Sequence, residues 1–146
     1  MKKALAAIVV VVSALSLLVT AQVPAQSQPP VYQPKFAGDK AHSDAEAAAL
    51  GYMRTVLVAE KLYKKKHGVY AHSLASLVGN GSFTRRMTNT DRGDYMVSFR
   101  PKREGYSLAL TPAQFDAQHR AFYVDETGEF RYEVDKPATA SSPLLK

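Results

Sequence analysis

Four histidines and three serines are the residues of this sequence best suited to metal-assisted or nucleophilic catalysis. The histidines stand at positions 42, 67, 72 and 119, and the serines are Ser73, Ser76 and Ser82. The histidines lack the spacing that places ligands on one helix face, and no serine lies in a nucleophile-elbow pattern. Zero cysteines exclude a thiol nucleophile, a thiolate metal site and a disulfide framework. The sequence therefore predicts a protein that is not an enzyme and that needs no cofactor or metal.

Clustered basic side chains are the second chemical feature, because phosphates and other polyanions bind preferentially to clustered lysine and arginine. The candidate polyanion contacts are Arg54, Lys61, Lys64, Lys65, Lys66, Arg85 and Arg86, with further basic residues at Arg92, Arg100, Lys102 and Arg103. Acidic residues interleave these clusters, and lysines at the end of a helix ordinarily form a solvated surface that suits the macrodipole. A solvated surface is the favoured interpretation, and binding of DNA or an anionic envelope polymer is the alternative.

Two acidic features could also support chemistry. Glu60 lies on the apolar side of a predicted helix, where we expect it to pair with Lys64 one turn later as a salt bridge at the rim. A functional carboxylate is the alternative. Asp125-Glu126-Thr127-Gly128-Glu129 places three carboxylates in one turn, but calcium needs six or more oxygen ligands. The segment therefore predicts a plain hairpin turn.

The first 21 residues have the features of an export signal. Lys2 and Lys3 form a basic start, an uncharged run extends from Ala4 to Val19, and small residues precede a cleavage position after Ala21. Cleavage after Ala25 is less favoured because a proline precedes it. We expect a Sec-type signal and a mature protein in the periplasm or outside the cell. The alternative is a single uncleaved membrane anchor, although the run would span only ~24 Å as a helix against ~30 Å of hydrocarbon.

Composition divides the remaining chain into three parts. Residues 22–42 are rich in proline and glutamine and predict a disordered tether. Residues 135–146 are rich in Pro, Ala and Ser and predict a flexible tail. Between them, residues 43–134 contain the hydrophobic side chains that one modest core requires.

The sequence predicts an α+β domain, one long helix packed on a four-stranded antiparallel meander. Ser43-Asp44-Ala45-Glu46 forms a capping box, a helix follows from Asp44 to Lys66, and Gly68 stops it. A further helical turn is predicted within residues 72–77. The apolar period then changes to two, which is typical of half-buried strands. The predicted strands are Tyr95–Arg100, Tyr106–Thr111, Phe122–Val124 and Phe130–Val134.

This order of elements, with particular residues, resembles the headgroup of type IV pilins and type II secretion pseudopilins. The similar segments are Ala47–Thr55, Ala59–Tyr63, Gly68–Tyr70, Ser73–Leu77, Gly105–Leu108 and Phe122–Gly128. They cover roughly residues 45–134. The chain departs from the family at its start, because it lacks the Gly-Phe junction that prepilin peptidase cuts and the Glu that follows it. The resemblance thus implies a soluble, exported relative of the headgroup.

These features predict a non-enzymatic, pilin-like domain that acts through protein or envelope-surface contacts, and the resemblance implies a link to a secretion or pilus system. A polyanion-binding module is the alternative, and an extracytoplasmic hydrolase with a site built from loop residues is the second alternative. The expected partner is a protein or a component of the cell envelope. Nucleic acid is a less favoured partner, and membrane contact would require an uncleaved signal.

Overall fold

The computed structural model describes residues 31–146, which form one compact unit. The predicted signal, its cleavage positions at Ala21 and Ala25 and the first part of the tether lie outside the described residues. Helix α1 spans Asp44–His67, and strands β1 to β4 span Tyr95–Pro101, Tyr106–Pro112, Ala121–Asp125 and Arg131–Glu133. Two 3-10 turns, Leu74–Leu77 and Arg85–Thr88, connect the helix to the sheet. The predicted α+β class with four antiparallel strands is confirmed.

Helix α1 begins and ends where local sequence signals place its caps. The Ser43 hydroxyl accepts a hydrogen bond from the Glu46 N–H at 3.1 Å, which satisfies one of the free donors of the first turn. Gly68 adopts a left-handed conformation (φ 77°), and its N–H donates to the Lys64 carbonyl at 2.8 Å. Glycine tolerates this conformation without steric cost. The predicted helix is confirmed and extends one residue further, to His67.

The sheet is a meander with the strand order β1-β2-β3-β4, and every neighbouring pair is antiparallel. Residues of β2 alternate between fully and partly buried positions, as expected when one face of a sheet covers the core. Side chains from α1 and from the inner sheet face form one hydrophobic cluster. Its fully buried members include Leu50, Met53, Val56, Leu77, Leu108, Leu110, Phe122 and Val124.

The end of the predicted tether packs against the domain, which corrects the expectation of disorder up to residue 42. Ala41 is buried in the core cluster, and Tyr32 is partly buried beside it. The Tyr32 hydroxyl and the Lys35 and Ala41 N–H groups donate to the Asp39 carboxylate. The Tyr32 hydrogen bond, followed by that from Lys35, lowers the pKa of Asp39. A high proline and glutamine content therefore does not prevent residues of this segment from packing on the domain.

The predicted flexible tail also differs from expectation, because it pairs with the edge of β4 through an isolated bridge between Arg131 and Leu144. Beyond β4 the chain turns back, so that the Tyr132 N–H donates to the Pro143 carbonyl at 3.0 Å and the Leu145 N–H donates to the Phe130 carbonyl at 2.8 Å. Ala138 is buried against the outer face of the sheet. These backbone hydrogen bonds cover the outer edge of β4, which would otherwise expose unpaired donors and acceptors.

Candidate functional site

A groove lies between the C-terminal end of α1 and the loop that joins β1 to β2. Its cavity has a volume of about 400 Å³, and it is lined by Lys64, Gly68, Val69, Tyr70, His72, Lys102, Arg103 and Glu104. Three of these residues carry permanent positive charges and one carries a carboxylate. The lining combines basic residues from two clusters that are separated by almost forty residues in the sequence. Only the folded chain brings these residues together.

The wall contributed by residues 68–72 is positioned by a sharp exit from the helix. The left-handed turn at Gly68 redirects the chain, and Ala71 then becomes buried at 1% exposure. Because Ala71 points inward, its neighbours Tyr70 and His72 line the groove. On the opposite side, the Lys102 N–H donates to the Gly105 carbonyl at 2.9 Å. That hydrogen bond closes the β1–β2 loop and presents Arg103 and Glu104 at the groove.

Aromatic rings support the groove from beneath. The Tyr70 and Tyr106 ring centroids are 5.5 Å apart, and Tyr106 stacks in turn with Phe99 at 5.8 Å. The ammonium group of Lys64 lies 4.1 Å from the Tyr70 ring centroid, within the range of a cation–π interaction. The groove therefore has a preformed aromatic side, with a cation resting on the ring of Tyr70.

The positive charges of the groove are not equally available to a ligand. Lys102 contacts Glu126 at 3.3 Å and Asp125 at 3.8 Å. Burial by itself lowers the pKa of Lys102, but Tyr123 and the two carboxylates outweigh burial and raise it. Among residues 31–146, Lys64 and Arg103 form no ion pair. These two side chains are consequently the cations most free to meet an anion.

The structure brings only part of the predicted polyanion surface to this groove. Lys64 lines it, whereas Lys61, Lys65 and Lys66 are exposed but do not. The guanidinium of Arg54 lies 5.4 Å from the Phe36 ring centroid and 5.9 Å from that of Phe130, so it covers aromatic rings on another side of the helix.

Arg85 and Arg86 belong to a separate region. They form the start of the second 3-10 turn, which is fixed to the helix where the Tyr52 hydroxyl donates to the Met87 carbonyl at 3.0 Å. Tyr52 precedes Lys64 by twelve residues, or ~18 Å along a helix. The two basic regions are therefore distinct surfaces, and sequence clustering alone could not distinguish them.

Glu60 differs from the predicted rim salt bridge. Its side chain is fully buried, and its Oε2 accepts a hydrogen bond from the Ala71 N–H at 3.0 Å. The other oxygen, Oε1, is buried without a hydrogen-bond partner in the described part of the chain. Burial raises the pKa of Glu60, opposed in part by the hydrogen bond from Ala71. The carboxylate thus supports the groove wall from inside, and Lys64 contacts Tyr70 instead.

A second buried carboxylate, at Glu46, was assigned by sequence only to a helix cap. Its two oxygens accept hydrogen bonds from Arg120 Nε at 3.0 Å and Nη2 at 2.7 Å. They also accept the backbone N–H of His42 at 2.7 Å and that of Arg120 at 2.9 Å. Glu46 is fully buried and Arg120 is 6% exposed. The pair joins the start of α1 to the start of β3, and no local signal in the sequence connects residues so far apart.

The other sequence candidates form local structure. In the acidic turn, the N–H and hydroxyl of Thr127 donate to Asp125 Oδ1 at 3.1 and 2.6 Å, and Gly128 has φ 79°, so the predicted hairpin turn is confirmed. His119 Nδ1 lies 2.9 Å from Asp116 Oδ1. Within residues 31–146, no three acidic or histidine side chains are placed to hold a metal ion.

No family model, no curated protein and no solved structure matches this chain. Among the described residues, no helix combines the length and the apolar character that crossing a bilayer requires.

Proposed function

We propose that this protein is an exported, non-enzymatic domain of the pilin-headgroup type, which binds an anionic polymer of the cell envelope through the Lys64–Tyr70–Arg103 groove. The observation that supports the proposal most strongly is the convergence of Lys64 with Lys102 and Arg103 on one aromatic-walled cavity. The order of one helix and a four-stranded meander supports the headgroup type, and the predicted signal supports the envelope as the location.

An extended polymer suits this groove better than a compact ligand. The groove is open and its polar groups are mainly long, flexible cations, a lining that recognises spaced anionic groups by charge. Glu104 and the paired state of Lys102 limit the total charge, so we expect moderate affinity that depends strongly on salt. On nucleic acids each phosphate neutralised contributes about −0.7 to −0.9 to the slope of log K against log salt, and three cations on a polymer of similar charge density would give a slope of roughly −2 to −3.

The sheet edges offer less to a protein partner. The tail covers β4, and at the start of β1 the Val97 N–H already donates to the Thr90 carbonyl at 2.8 Å. Pro101 ends β1 and has no N–H to donate. These contacts shorten the edge that a partner strand could use, and the groove is the better-supported interaction site.

The experiment measures retention of the full mature chain on immobilised inorganic polyphosphate at increasing salt. The groove variant replaces Lys64, Lys102 and Arg103 with Ala. The matched control replaces Lys61, Lys65 and Lys66 with Ala, which removes the same charge from residues that do not line the groove. We expect the groove variant to lose salt-sensitive retention and the control to keep most of it.

Equal losses in the two variants would show that diffuse charge, not the groove, retains the protein. Double-stranded DNA serves as a second immobilised probe. Tighter retention on DNA than on polyphosphate, lost in the groove variant, would assign the groove to nucleic acid and refute the envelope-polymer proposal.

A further inference from the structure

After Gly68, the part of the groove wall formed by residues 69–72 is held to the helix by a single hydrogen bond. Between Val69 and His72, the Ala71 N–H is the one backbone group within the described chain that forms a hydrogen bond, and its acceptor is Glu60 Oε2 at 3.0 Å. Tyr70 and His72, on either side of Ala71, line the groove. The carboxylate of Glu60 therefore anchors the backbone between these two groove residues.

A carboxylate loses more hydration free energy in this buried position than a neutral acceptor would. Burying it without a cation costs more than burying a neutral amide, and Glu60 has neither a paired cation nor a partner for Oε1. A glutamine would accept the same Ala71 hydrogen bond without the charge. Comparing Glu60 with Gln at this position therefore separates the effect of the acceptor oxygen from the effect of the negative charge.

The carboxylate of Glu60 is buried close in the chain to residues that line the groove. Glu60 lies one helical turn before Lys64 and is joined through Ala71 to Tyr70 and His72. A buried negative charge close to a cationic cavity lowers its positive potential. Tyr106, which supports the same wall, is also affected: burial raises its pKa first, and the negative charge of Glu60 raises it further.

We infer that Glu60 is a positioning residue of the groove, which holds the Tyr70–His72 wall through the Ala71 N–H and whose negative charge limits the affinity of the groove for anions. The first part rests on the structure alone, and the second rests on the proposed anion-binding function. Removing the charge while keeping the acceptor should strengthen anion binding, whereas removing the acceptor should weaken it.

Two variants of the full mature chain separate the two effects. Glu60→Gln keeps an acceptor oxygen and removes the charge, and Glu60→Leu removes both. Glu104→Gln is the control, since it removes a negative charge from the groove lining without touching Ala71. Hydrogen exchange of the Ala71 amide, followed by NMR, measures the wall without any ligand. The dissociation constant for inorganic polyphosphate at pH 7 measures the groove.

For Glu60→Gln we expect Ala71 exchange like that of the parent and a dissociation constant about threefold lower. For Glu60→Leu we expect Ala71 exchange about tenfold faster, from loss of one buried hydrogen bond, and weaker binding despite loss of the same charge. Glu104→Gln should strengthen binding and leave Ala71 exchange unchanged. Exchange of amides in β2 reports whether each variant remains folded.

Each arm can overturn its part of the inference. Unchanged Ala71 exchange in a folded Glu60→Leu variant, or fast exchange in Glu60→Gln, would show that the side chain does not hold the wall. Unchanged or weaker polyphosphate binding in Glu60→Gln would show that the charge does not limit affinity. If the parent itself fails to bind polyphosphate, the proposed function and the charge effect both fall, while Ala71 exchange still decides the positioning role.

Discussion

The buried Glu46–Arg120 pair provides the sharpest test of what holds the fold together. Replacing Arg120 with Met preserves most of the side-chain volume but leaves the fully buried Glu46 carboxylate with two backbone N–H donors and no cation. The change also removes the hydrogen bond that Arg120 Nη2 donates to the Lys40 carbonyl at 2.6 Å. It therefore loosens the segment before α1 as well as the start of β3.

The magnitude follows from the burial and the number of bonds lost. Arg120 donates two charge-assisted hydrogen bonds to Glu46, and its guanidinium lies over the rings of Phe122 and Tyr132, 5.5 and 5.2 Å from their centroids. Removing one partner of a buried ion pair costs about 3–5 kcal/mol, because the remaining charge stays buried. For a domain of this size that loss lowers the Tm by roughly 10–25 °C.

The assay is urea unfolding followed by circular dichroism, with Arg131→Met as the matched control. Arg131 also pairs with a glutamate, Glu129, at 2.8 Å, but both side chains are partly exposed. Arg131 donates a further hydrogen bond to the Ser142 carbonyl at 2.8 Å, so we expect a loss of about 1–2 kcal/mol, well below that of Arg120→Met. The double variant Glu46→Met with Arg120→Met should recover part of the loss, since it removes both charges. A cost for Arg120→Met as small as that of the control would refute the reasoning from burial.

Three other perturbations have defined outcomes. In Gly105→Ala, the new Cβ would meet the Glu126 side chain at 2.5 Å and displace the contacts of Glu126 Oε2 with the Tyr106 N–H and Lys102, so urea unfolding should show a loss of about 1 kcal/mol. In a Glu126→Ala background those contacts are already absent, so Gly105→Ala should cost nothing further there; an equal cost in both backgrounds would contradict this reasoning. Burial raises the pKa of Glu60 above its ordinary 4.5, so the folded state favours the protonated carboxyl. The protonated carboxyl therefore contributes stability that is fully present below pH 4.5 and is lost as the pH rises through the folded pKa. Glu60→Gln should therefore gain stability over the parent as pH rises, and a pH-independent difference between their urea midpoints would contradict the assignment. Deleting residues 136–146 should cost at least about 2 kcal/mol by uncovering β4, and an unchanged urea midpoint would show that the tail contributes nothing.

The elements that sequence predicted well are those with local physical signals. Ser43 and Gly68 mark the ends of α1 because capping depends on neighbouring residues. The period of two located all four strands, although β3 and β4 begin one residue away from their predicted starts. The second 3-10 turn at Arg85–Thr88 has no side-chain cap hydrogen bond, and the sequence offered no signal for it beyond its basic character.

The ordered segments outside residues 43–134 were missed because composition measures average tendency and not specific pairing. Ala41 is a small side chain that becomes buried only when α1 and the residues before it are placed together. The tail contributes mainly backbone hydrogen bonds to β4, and backbone donors are present in any sequence. Proline-rich composition predicts poor helix and strand formation, but it does not prevent a segment from covering an existing sheet edge.

The candidate groove was predictable only in part, for a related reason. Sequence identified Lys64, Lys102 and Arg103 as basic, but placing them together requires the turn at Gly68 and the closed β1–β2 loop. Lys61 and Lys65 have the same local character as Lys64 and do not line the groove. Charge clustering along a chain therefore shows that a basic surface exists, and the helix phase decides which of its members can contact one ligand.

The two buried glutamates of α1, Glu46 and Glu60, both lie on the apolar face of the helix. Glu46 and Glu60 lie fourteen residues apart, which places them within about 40° of each other on the apolar face at 100° per residue. A carboxylate on that face must find donors or remain protonated, and here each accepts a backbone N–H from chain that is outside regular structure: His42 before the helix and Ala71 after it. The two acids thus fix the chain where it enters and where it leaves α1. An acidic residue on the apolar face of a helix should accordingly be interpreted first as an acceptor for backbone N–H groups outside regular structure. A surface salt bridge is the weaker interpretation when a loop packs against that part of the helix.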